Sequence, residues 1–430
     1  MLVEAGGSCV ARSLEEPGVP MRTSLGVVLV AFGLLPGIAP AAPARPAPPL
    51  PAPAGLIVTV STEPALRAAC ASLRSNTTIV VAPGTYLLRD TLYIRGTLAN
   101  VGLRGATGDA DDVVLAGPGM TDGSLQFGVW VGGQVQGVTI ADLTIRDVSN
   151  HPIVLNAGTQ SPLIHNVHLV NAGQQFVKAN PTAGGGGVDN GIVEYSVIEY
   201  ETAARDDYTN GVDVHAGRNW TIRHNLFRNI RAPLPGQLAG PAVLMWNSSA
   251  DTIVDGNTFV NCQREIALGL VTRTPNDHTG GIIRNNVIYR DTTFAGGDVS
   301  IGVFDSPGTQ VLHNTVIASG DYPSRIEYRF PDTIGVVIAN NLLDGTIRAR
   351  DGARATLSDN VTTASRLLFA NAPAADLHLS AEAAPTITKV PFLQDAPSDF
   401  DDEARPAGSV ADIGADEFRS PPSLDPARKR

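Results

Sequence analysis

Positive charge, aromatic residues and cysteine are all scarce in this chain of 430 residues. The net charge is −11, and aromatic residues make up 5% of the sequence. Lysine occurs only at Lys178, Lys389 and Lys429, so arginine supplies nearly all of the positive charge. This balance excludes bulk electrostatic attraction to nucleic acid or to an anionic membrane surface. It also makes Lys178, which lies deep in the body of the chain, a residue of interest.

The cysteines are too few to define a disulfide framework. Of the three, Cys9 falls in a segment that we predict to be absent from the mature protein. Cys70 and Cys262 are far apart in the chain, nothing fixes them as partners, and their spacing matches no metal-binding pattern. The sequence therefore predicts no metal site and leaves open whether these two thiols are free.

Long apolar runs are also missing, apart from a short one near the start. Met21-Arg22 precedes "TSLGVVLVAFGLLPGIAPAAPA", which has a basic start, an apolar core and small residues before a cleavage point. This pattern predicts a signal peptide over residues 21–44, a true start at Met21 and a secreted protein. The apolar run is too short for a membrane span. The Pro-rich residues 45–55 are predicted to be a linker.

The sequence is rich in glycine, and it contains a repeat whose copies are unevenly spaced. The chain has 44 Gly and 31 Pro, which favours many short strands. Related segments occur at 162–170, 191–200, 220–229, 251–261, 281–290, 309–318 and 335–344. Each has apolar residues, a short polar gap that ends in Asn, and a further alternating pair. The Asn positions are 166, 225, 257, 286, 314 and 341, with Ser196 and Asp142 at two equivalent places.

One copy of this repeat cannot bury its apolar face alone, so the copies must stack. Parallel stacking places equivalent residues about 4.8 Å apart, and an inward Asn then forms a ladder of side-chain hydrogen bonds. The predicted fold is all-β, a right-handed parallel β-helix of about ten coils that covers residues 56–365.

Both ends of the predicted solenoid support this interpretation. Residues 61–75 have helical spacing at Leu66, Cys70 and Leu73, and a strand follows. This resembles the capping helix and first coil of pectate-lyase-like β-helix proteins, in which the helix covers an open sheet edge. Residues 399–418 resemble a C-terminal tail of secreted bacterial β-helix proteins, which makes 366–420 a C-terminal cap or tail. Residues 421–430 are predicted to be disordered, and 1–20 to precede the true start.

A second set of short strands precedes the Asn segments. Alternation directs ten apolar side chains inward, namely Val177, Val212, Val214, Val243, Met245, Ile266, Leu268, Val299, Ile301 and Val303. It directs a polar stripe outward, namely Lys178, Asp213, His215, Trp246, Glu265, Glu327 and Arg329. Loops flank this stripe, and one of them carries Tyr208. Mixed charge with aromatic side chains suits an extended acidic polysaccharide, and we expect Glu327 and Arg329 to be either substrate contacts or an ion pair.

The stretch "FVKAN…GIVEYSVIEY…GVDVHAGRNWTIRHNLF" resembles the chondroitinase-B and alginate-lyase family of β-helix polysaccharide lyases. The resemblance covers about fifty residues. It implies that Lys178 is the catalytic base. It also implies that His215 occupies the position at which the family has an Arg that acts as the catalytic acid. It also implies a Ca²⁺ held by two Glu before the Lys, but "VNAGQQFVK" has no carboxylates there. Calcium of that kind is therefore not expected.

β-Elimination of a uronate needs a base, an acid and a neutralised carboxylate. We predict Lys178 as the base, His215 as the acid and Asp213 as the residue that orients His215. Arg218 or Arg264 is predicted to bind the carboxylate. The predicted substrate contacts are Tyr208, Arg218, Trp246, Arg264, Glu265, Glu327 and Arg329.

Two other functions remain open on sequence grounds. "TNGVDVHAGRNWTIRHN" also resembles the Asn-x-Asp-Gly-x-Asp strand of polygalacturonases, although the further carboxylates of a glycoside hydrolase are missing. A non-catalytic, carbohydrate-binding β-helix is the other alternative, because fold alone does not give function. In each case we expect a monomer whose partner is a polysaccharide.

Overall fold

Parallel strands that recur once per coil form three long sheets in the computed structural model, which describes residues 43–318 and 322–419. The predicted signal peptide lies almost wholly outside the described residues, as do residues 1–20 and 421–430. Every pairing within the three sheets is parallel, and each joins one coil to the next. The predicted all-β, right-handed parallel β-helix is confirmed, with about ten coils.

We call the three stacks sheets I, II and III. Three strands are long enough to contribute to more than one sheet: Leu92–Gly105, Phe127–Val148 and Leu163–Ala172. The other strands of sheet I are Leu56–Val60, Thr77–Val81, Ile192–Glu194, Thr221–Arg223, Ile253–Asp255, Ile282–Arg284, Gln310–Leu312, Val336–Ala339 and Ala355–Ser358.

The other strands of sheet II are Gly84–Leu87, Val113–Ala116, Val197–Glu199, Leu226–Arg228, Thr258–Val260, Val287–Arg290, Thr315–Ala318 and Leu342–Leu343. The other strands of sheet III are His151–Asn156, Val177–Asn180, Val212–His215, Val243–Trp246, Ile266–Leu268, Ile301–Phe304, Ser324–Arg329 and Thr346–Arg350.

Three small sheets lie outside these stacks. The pair Ser249–Ala250 and His278–Thr279 is parallel, whereas Phe369–Asn371 with Asp376–Leu379 and Lys389–Pro391 with Val410–Asp412 are antiparallel. Short 3₁₀ turns occupy Ala110–Asp112, Arg366–Leu368, Ala372–Ala374 and Ala384–Thr386. Within the described ranges, no helix has the length and hydropathy of a membrane span.

The apolar core fills the inside of the solenoid. All ten side chains that alternation directs inward are buried, from Val177 to Val303, so that prediction is confirmed. Phe227 and Phe259 stack inside sheet II on successive coils, with ring centroids 4.8 Å apart. β-Branched residues dominate because stacked flat strands pack them well.

A helix closes the N-terminal end of this core. It runs over Glu63–Ala71, and the Thr62 side chain accepts a hydrogen bond from the Ala65 amide. Leu66 and Cys70 join the same apolar core as the first strands. The predicted helix is therefore present, although it ends before Leu73. Cys70 and Cys262 are both buried free thiols.

The asparagine ladder occupies the turn between sheets I and II. Each amide donates to the side-chain oxygen of the Asn one coil later, over 2.8–3.0 Å. The members of the ladder are Asn225, Asn257, Asn286, Asn314, Asn341 and Asn360, and the Ser196 amide donates to its first member. Asn360 escaped the sequence reasoning because its coil has no recognisable repeat.

Two positions of the predicted ladder are wrong by one residue. Asn166 and Asp142 have φ of 49° and 59°, which places them in the left-handed column just before the ladder. Tyr195 and His224 occupy the same column one and two coils after Asn166. Asn and Asp tolerate this conformation better than most residues, so their presence there signals the turn and not the ladder.

Replacing Asn257 with leucine tests the ladder. Asn257 is fully buried, accepts from the Asn225 amide and donates to the Ile222 carbonyl and to Asn286. Each buried partner left without a hydrogen bond costs about 1–3 kcal/mol, so urea unfolding should show a clear loss of stability. Asn371→Leu, at an exposed position, is the matched control and should change stability by no more than about 0.5 kcal/mol. Equal stability of both variants would contradict the role of the ladder.

The two ends of the described chain meet on the outside of the solenoid. Arg45 donates to the Phe400 carbonyl over 2.6 Å and to Asp402 over 2.7 Å, and lies 2.9 Å from His224 Nδ1. Farther along, Pro48 O lies 3.0 Å from His165 Nε2. The Pro-rich segment predicted to be a linker therefore has its own contacts with the solenoid. The C-terminal segment packs on the outer side of sheet II through apolar residues such as Phe369, Leu377 and Ile413.

Candidate active site

Three successive strands of sheet III bring the predicted catalytic residues together. Lys178 is paired in register with Asp213 on the next coil, and His215 is paired with Trp246 on the coil after that. Their neighbours Val177, Val212 and Val243 point into the core. Alternation therefore places all four functional side chains on the outer face of the sheet, as the sequence predicts.

These side chains form one hydrogen-bonded cluster around Asp213. One carboxylate oxygen accepts a hydrogen bond from the Lys178 ammonium, and the other accepts from Trp246 Nε1 over 2.9 Å. Lys178 Nζ lies 2.8 Å from His215 Nε2, and that nitrogen lies 3.5 Å from the Asp213 carboxylate. The His215 and Trp246 rings are in contact, with centroids 4.6 Å apart.

The exposure expected for this cluster is wrong in part. Lys178 is 7% exposed and Asp213 only 2%, because they lie against each other and against their neighbours. The His215 side chain is 18% exposed, which makes it more open to solvent than Lys178 or Asp213. A ligand would therefore reach the cluster at the edge of His215 and the face of Trp246.

Asp213 carries its negative charge under most conditions. Burial alone raises the pKa of its carboxyl group, but the hydrogen bond from His215 and the charge of Lys178 outweigh burial, so the pKa lies below its ordinary value. The carboxylate thus stands as a negative charge beside the Lys178–His215 pair. His215 Nδ1 also lies 3.2 Å from the side-chain amide nitrogen of Asn247, so both ring nitrogens have a polar neighbour.

Asp277 organises a supporting layer that sequence reasoning missed. It is fully buried and accepts from the amides of Asn247 and Leu270, each over 2.7 Å. It also accepts from Arg273 Nε over 2.7 Å. The Arg273 guanidinium then lies 5.7 Å from the centre of the Trp246 ring, with its side chain 35% exposed. The loop "RTPNDH" carried no repeat, so nothing in the sequence placed it beside Trp246.

A second histidine, His151, lies close enough to Lys178 for the lysine charge to affect its pKa. Its Nδ1 is 2.9 Å from the Gln175 carbonyl, and its ring stacks on Phe127. The pKa of His151 is lowered to about 4, chiefly by burial, and the charge of Lys178 acts in the same direction against the opposing hydrogen bond to the Gln175 carbonyl. His151 is therefore uncharged at neutral pH.

The structure separates several predicted substrate contacts from this cluster. Glu265 is fully buried and forms a two-point ion pair with Arg290. It precedes the strand that begins at Ile266, so the outward alternation did not apply to it. Burial raises the pKa of Glu265 in spite of Arg290. The structure therefore places the Glu265 side chain inside the protein and apart from the Lys178–His215 pair.

Glu327 and Arg329 also have other partners than expected. Glu327 is 1% exposed and accepts from Tyr322 and from Arg350, the latter over 3.2 Å. Arg329 pairs with Asp351. The expected ion pair between Glu327 and Arg329 is wrong because they share one strand, whereas each finds its partner on the next coil.

The remaining predicted contacts lie in loops and turns. Tyr208 is 58% exposed in the loop before Val212–His215. Arg218 is exposed in the turn after that strand, where its amide donates to Asp189. Arg264 pairs with Asp298 over 2.8 Å.

The segment that a calcium site would need is occupied by structural contacts. Asn171 Oδ1 accepts from the Glu201 amide, and Gln175 is fully buried. In the described part of the chain, one group has metal-ligand atoms within 4.8 Å of one another: His378, Asp401 and Asp416. It lies in the C-terminal segment, and His378 is already paired with Asp376 and Asp401 over 2.6 and 3.0 Å.

Comparisons with known proteins find distant similarities to solved structures and one family match. Solved structures with a similar architecture include an alginate lyase from Paenibacillus sp. str. FPU-7, at 10% identity over 71% of this chain and 98% of that one, with a TM-score of 0.41. An endo-xylogalacturonan hydrolase from Aspergillus tubingensis has 16% identity over 72% and 97% of the two chains, with a TM-score of 0.42. The pectate lyase Pel9A has 14% identity over 85% and 97%, with a TM-score of 0.41.

Similarity this low carries no conclusion about reaction or substrate. No curated protein matches the chain. The family described as "Right handed beta helix region" matches residues 127–372, which is more than half of the sequence and includes the whole Lys178 cluster. The chain therefore belongs to the right-handed β-helix family.

Proposed function

We propose that this protein is a secreted polysaccharide lyase that cleaves a uronic-acid polymer by β-elimination. The observation that carries the proposal is the contact of Lys178 Nζ with His215 Nε2, 2.8 Å apart over the Asp213 carboxylate on the outer face of sheet III. Two nitrogens at this distance can act as base and acid, removing one proton and delivering another at neighbouring atoms of one sugar ring.

In this reaction, the Lys178 ammonium first passes a proton to His215, and the amine that results takes the proton from C5 of the uronate. The electrons of the C5–H bond form the C4–C5 double bond, and the C4–O4 bond breaks. His215 donates a proton to O4 of the leaving sugar. Asp213 holds both nitrogens in place and stabilises the positive charge that moves between them.

Arg273 and Trp246 supply the other requirements of the site. The Arg273 guanidinium, fixed by Asp277 and partly exposed beside Trp246, neutralises the substrate carboxylate and so favours loss of the C5 proton. The Trp246 ring gives an apolar surface for the sugar. The reaction needs no metal ion.

The closeness of the two nitrogens also favours one stereochemistry. Base and acid only 2.8 Å apart approach the ring from the same side. Uronates of gluco or manno configuration have the C5 hydrogen and O4 on one side of the ring, whereas galacturonate and guluronate have them on opposite sides. We therefore expect polymannuronate or glucuronan to be cleaved faster than polygalacturonate or polyguluronate.

A screen of purified protein on these four polymers tests the proposal. Cleavage should produce ultraviolet absorbance from the C4–C5 double bond, and the rate should be highest on the first two polymers. Reducing ends without this absorbance would identify a hydrolase. That outcome is not expected, because two available carboxylates are required and both candidates are engaged. Asp213 is bonded to Lys178 and Trp246, and Asp277 accepts from Asn247, Leu270 and Arg273.

Binding without any cleavage would identify a carbohydrate-binding β-helix. The near-complete burial of Lys178 and Asp213 favours this alternative, because an enzyme must expose its base to the substrate. The same screen, read by calorimetry, separates binding from turnover.

Secretion is tested on the exported protein. Residues 21–44 have the pattern of a signal peptide, so mass spectrometry should find an N-terminus between about residue 40 and residue 46. A chain that keeps Met1 or Met21 and stays in the cytoplasm would contradict this part of the proposal.

A further inference from the structure

We propose that the sugar-binding surface around Lys178 and His215 extends along the outer face of sheet III to two aromatic subsites, one formed by Trp130 and the other by Phe304. This inference rests on the proposed function, because it assigns further contacts to the same polymer. It follows from strand register, from two glycines that make room for the rings, and from the partial exposure of both aromatic side chains.

Trp130 is aligned with the catalytic cluster by strand register. It is paired with Val154 on the next coil, and Val154 is paired with Lys178 on the coil after that. Two coil steps correspond to about 10 Å, which is close to the length of two sugar residues. Tyr93 precedes Trp130 in the same column, with ring centroids 5.8 Å apart.

Gly132 allows the Trp130 ring to lie flat on the sheet. A methyl group at Gly132 would be 2.3 Å from Cη2 and 2.5 Å from Cζ3 of the indole, so the ring covers this glycine. Glycine weakens a strand and is typical of places where another group must approach the backbone closely. Since Trp130 is half-buried, one face rests on the strand and the other is available to a ligand.

The same arrangement recurs on the other side of the cluster. A methyl group at Gly302 would be 2.5 Å from Cε2 and 2.6 Å from Cζ of Phe304, which is also half-buried. Val243–Trp246, Ile266–Leu268 and Ile301–Phe304 are successive strands of sheet III, so Phe304 lies two coils beyond Trp246. Six coil steps separate the strands of Trp130 and Phe304, which is about 29 Å.

The two rings therefore bracket the Lys178–His215 pair along the stacking axis. An extended chain of roughly six sugars would span them, with the cleaved bond between the platforms. The ligand is an acidic polysaccharide bound lengthwise, because Arg95 adds a cation next to the first platform, 5.3 Å from the Tyr93 ring centre. Short oligomers would occupy the central cluster without reaching either platform.

Calorimetry with oligomannuronates and oligoglucuronates of two, four and eight residues tests this inference. Trp130→Ala and Phe304→Ala should each weaken binding of the octamers by about tenfold and leave the dimers within about twofold. Gly132→Ala keeps the indole but displaces it, so it should reproduce the loss seen with Trp130→Ala. Phe400→Ala, a half-buried aromatic position in the C-terminal segment, is the control and should bind like the parent protein.

The outcomes separate this inference from the proposed function. If the octamers bind with the predicted loss in the variants but are not cleaved, the lyase proposal fails and the subsites stand. If octamers are cleaved and the variants keep the parent affinity and KM, the subsites are refuted and the lyase stands. If no octamer binds the parent protein, both are overturned. Circular dichroism of each variant confirms that it has folded.

Discussion

Lys178→Ala and His215→Ala should each lower kcat on the active polymer by about 10²–10⁴-fold, the usual contribution of a positioned acid or base. Each variant removes one of the two nitrogens that stand 2.8 Å apart, so the proposed reaction loses either its base or its acid. The initial rate of double-bond formation at saturating substrate measures the effect.

Lys389→Ala is the matched control for this experiment. Lys389 is one of the three lysines and also pairs with an aspartate, Asp412, but it lies in the C-terminal segment. Its removal should leave kcat unchanged. If Lys178→Ala and His215→Ala also keep the parent rate on a cleaved polymer, the assignment of base and acid is wrong.

The largest expected effect on stability comes from Asp213→Asn. The substitution leaves the Lys178 ammonium, which is 7% exposed, without its counter-charge, and breaking such a pair costs about 3–5 kcal/mol. Exposure of the site, expected from the sequence, would have predicted a much milder effect. Urea unfolding at neutral pH measures the difference.

The pH dependence gives an independent check on this pair. The pKa of Asp213 is lowered in the folded protein below its ordinary value of 3.8, so its contribution is complete above that value. This contribution is lost as the pH falls through the lowered pKa. The difference in unfolding free energy between the parent and Asp213→Asn should therefore narrow only in that acid range. Lys178→Met combined with Asp213→Asn should recover most of the stability, because it removes the unpaired charge. If Asp213→Asn alone is as stable as the parent at pH 7, the ion pair contributes nothing to stability.

Sequence alternation was enough to predict the outer and inner faces of sheet III. Val177, Val212 and Val243 face the core, and Lys178, Asp213 and His215 meet on the other side. This works because a strand has a period of two and parallel coils repeat the same register. Equivalent residues then become neighbours without any knowledge of the loops.

The two-residue period of a strand does not predict which side chains cover a face of the sheet or at which residue a strand begins. Lys178 and Asp213 are on the predicted side, yet their mutual contacts bury them. Glu265 lies just before its strand and turns inward to Arg290. Arg273 and Asp277 belong to a loop without a repeat, so their place beside Trp246 depends on tertiary packing that no local pattern contains.

The contacts of Arg45 have a consequence for how this protein comes apart. In an open solenoid each coil touches only its neighbours, so unwinding can start at either end and proceed coil by coil. Arg45 binds both Phe400 and Asp402 of the C-terminal segment and contacts His224 in the middle of the stack. Loosening of the N-terminal segment therefore also removes hydrogen bonds to the C-terminal segment, so the two segments are coupled to each other and to the middle of the stack. A protease that trims the segment before Gly55 would be expected to change a single, sharp unfolding transition into gradual fraying.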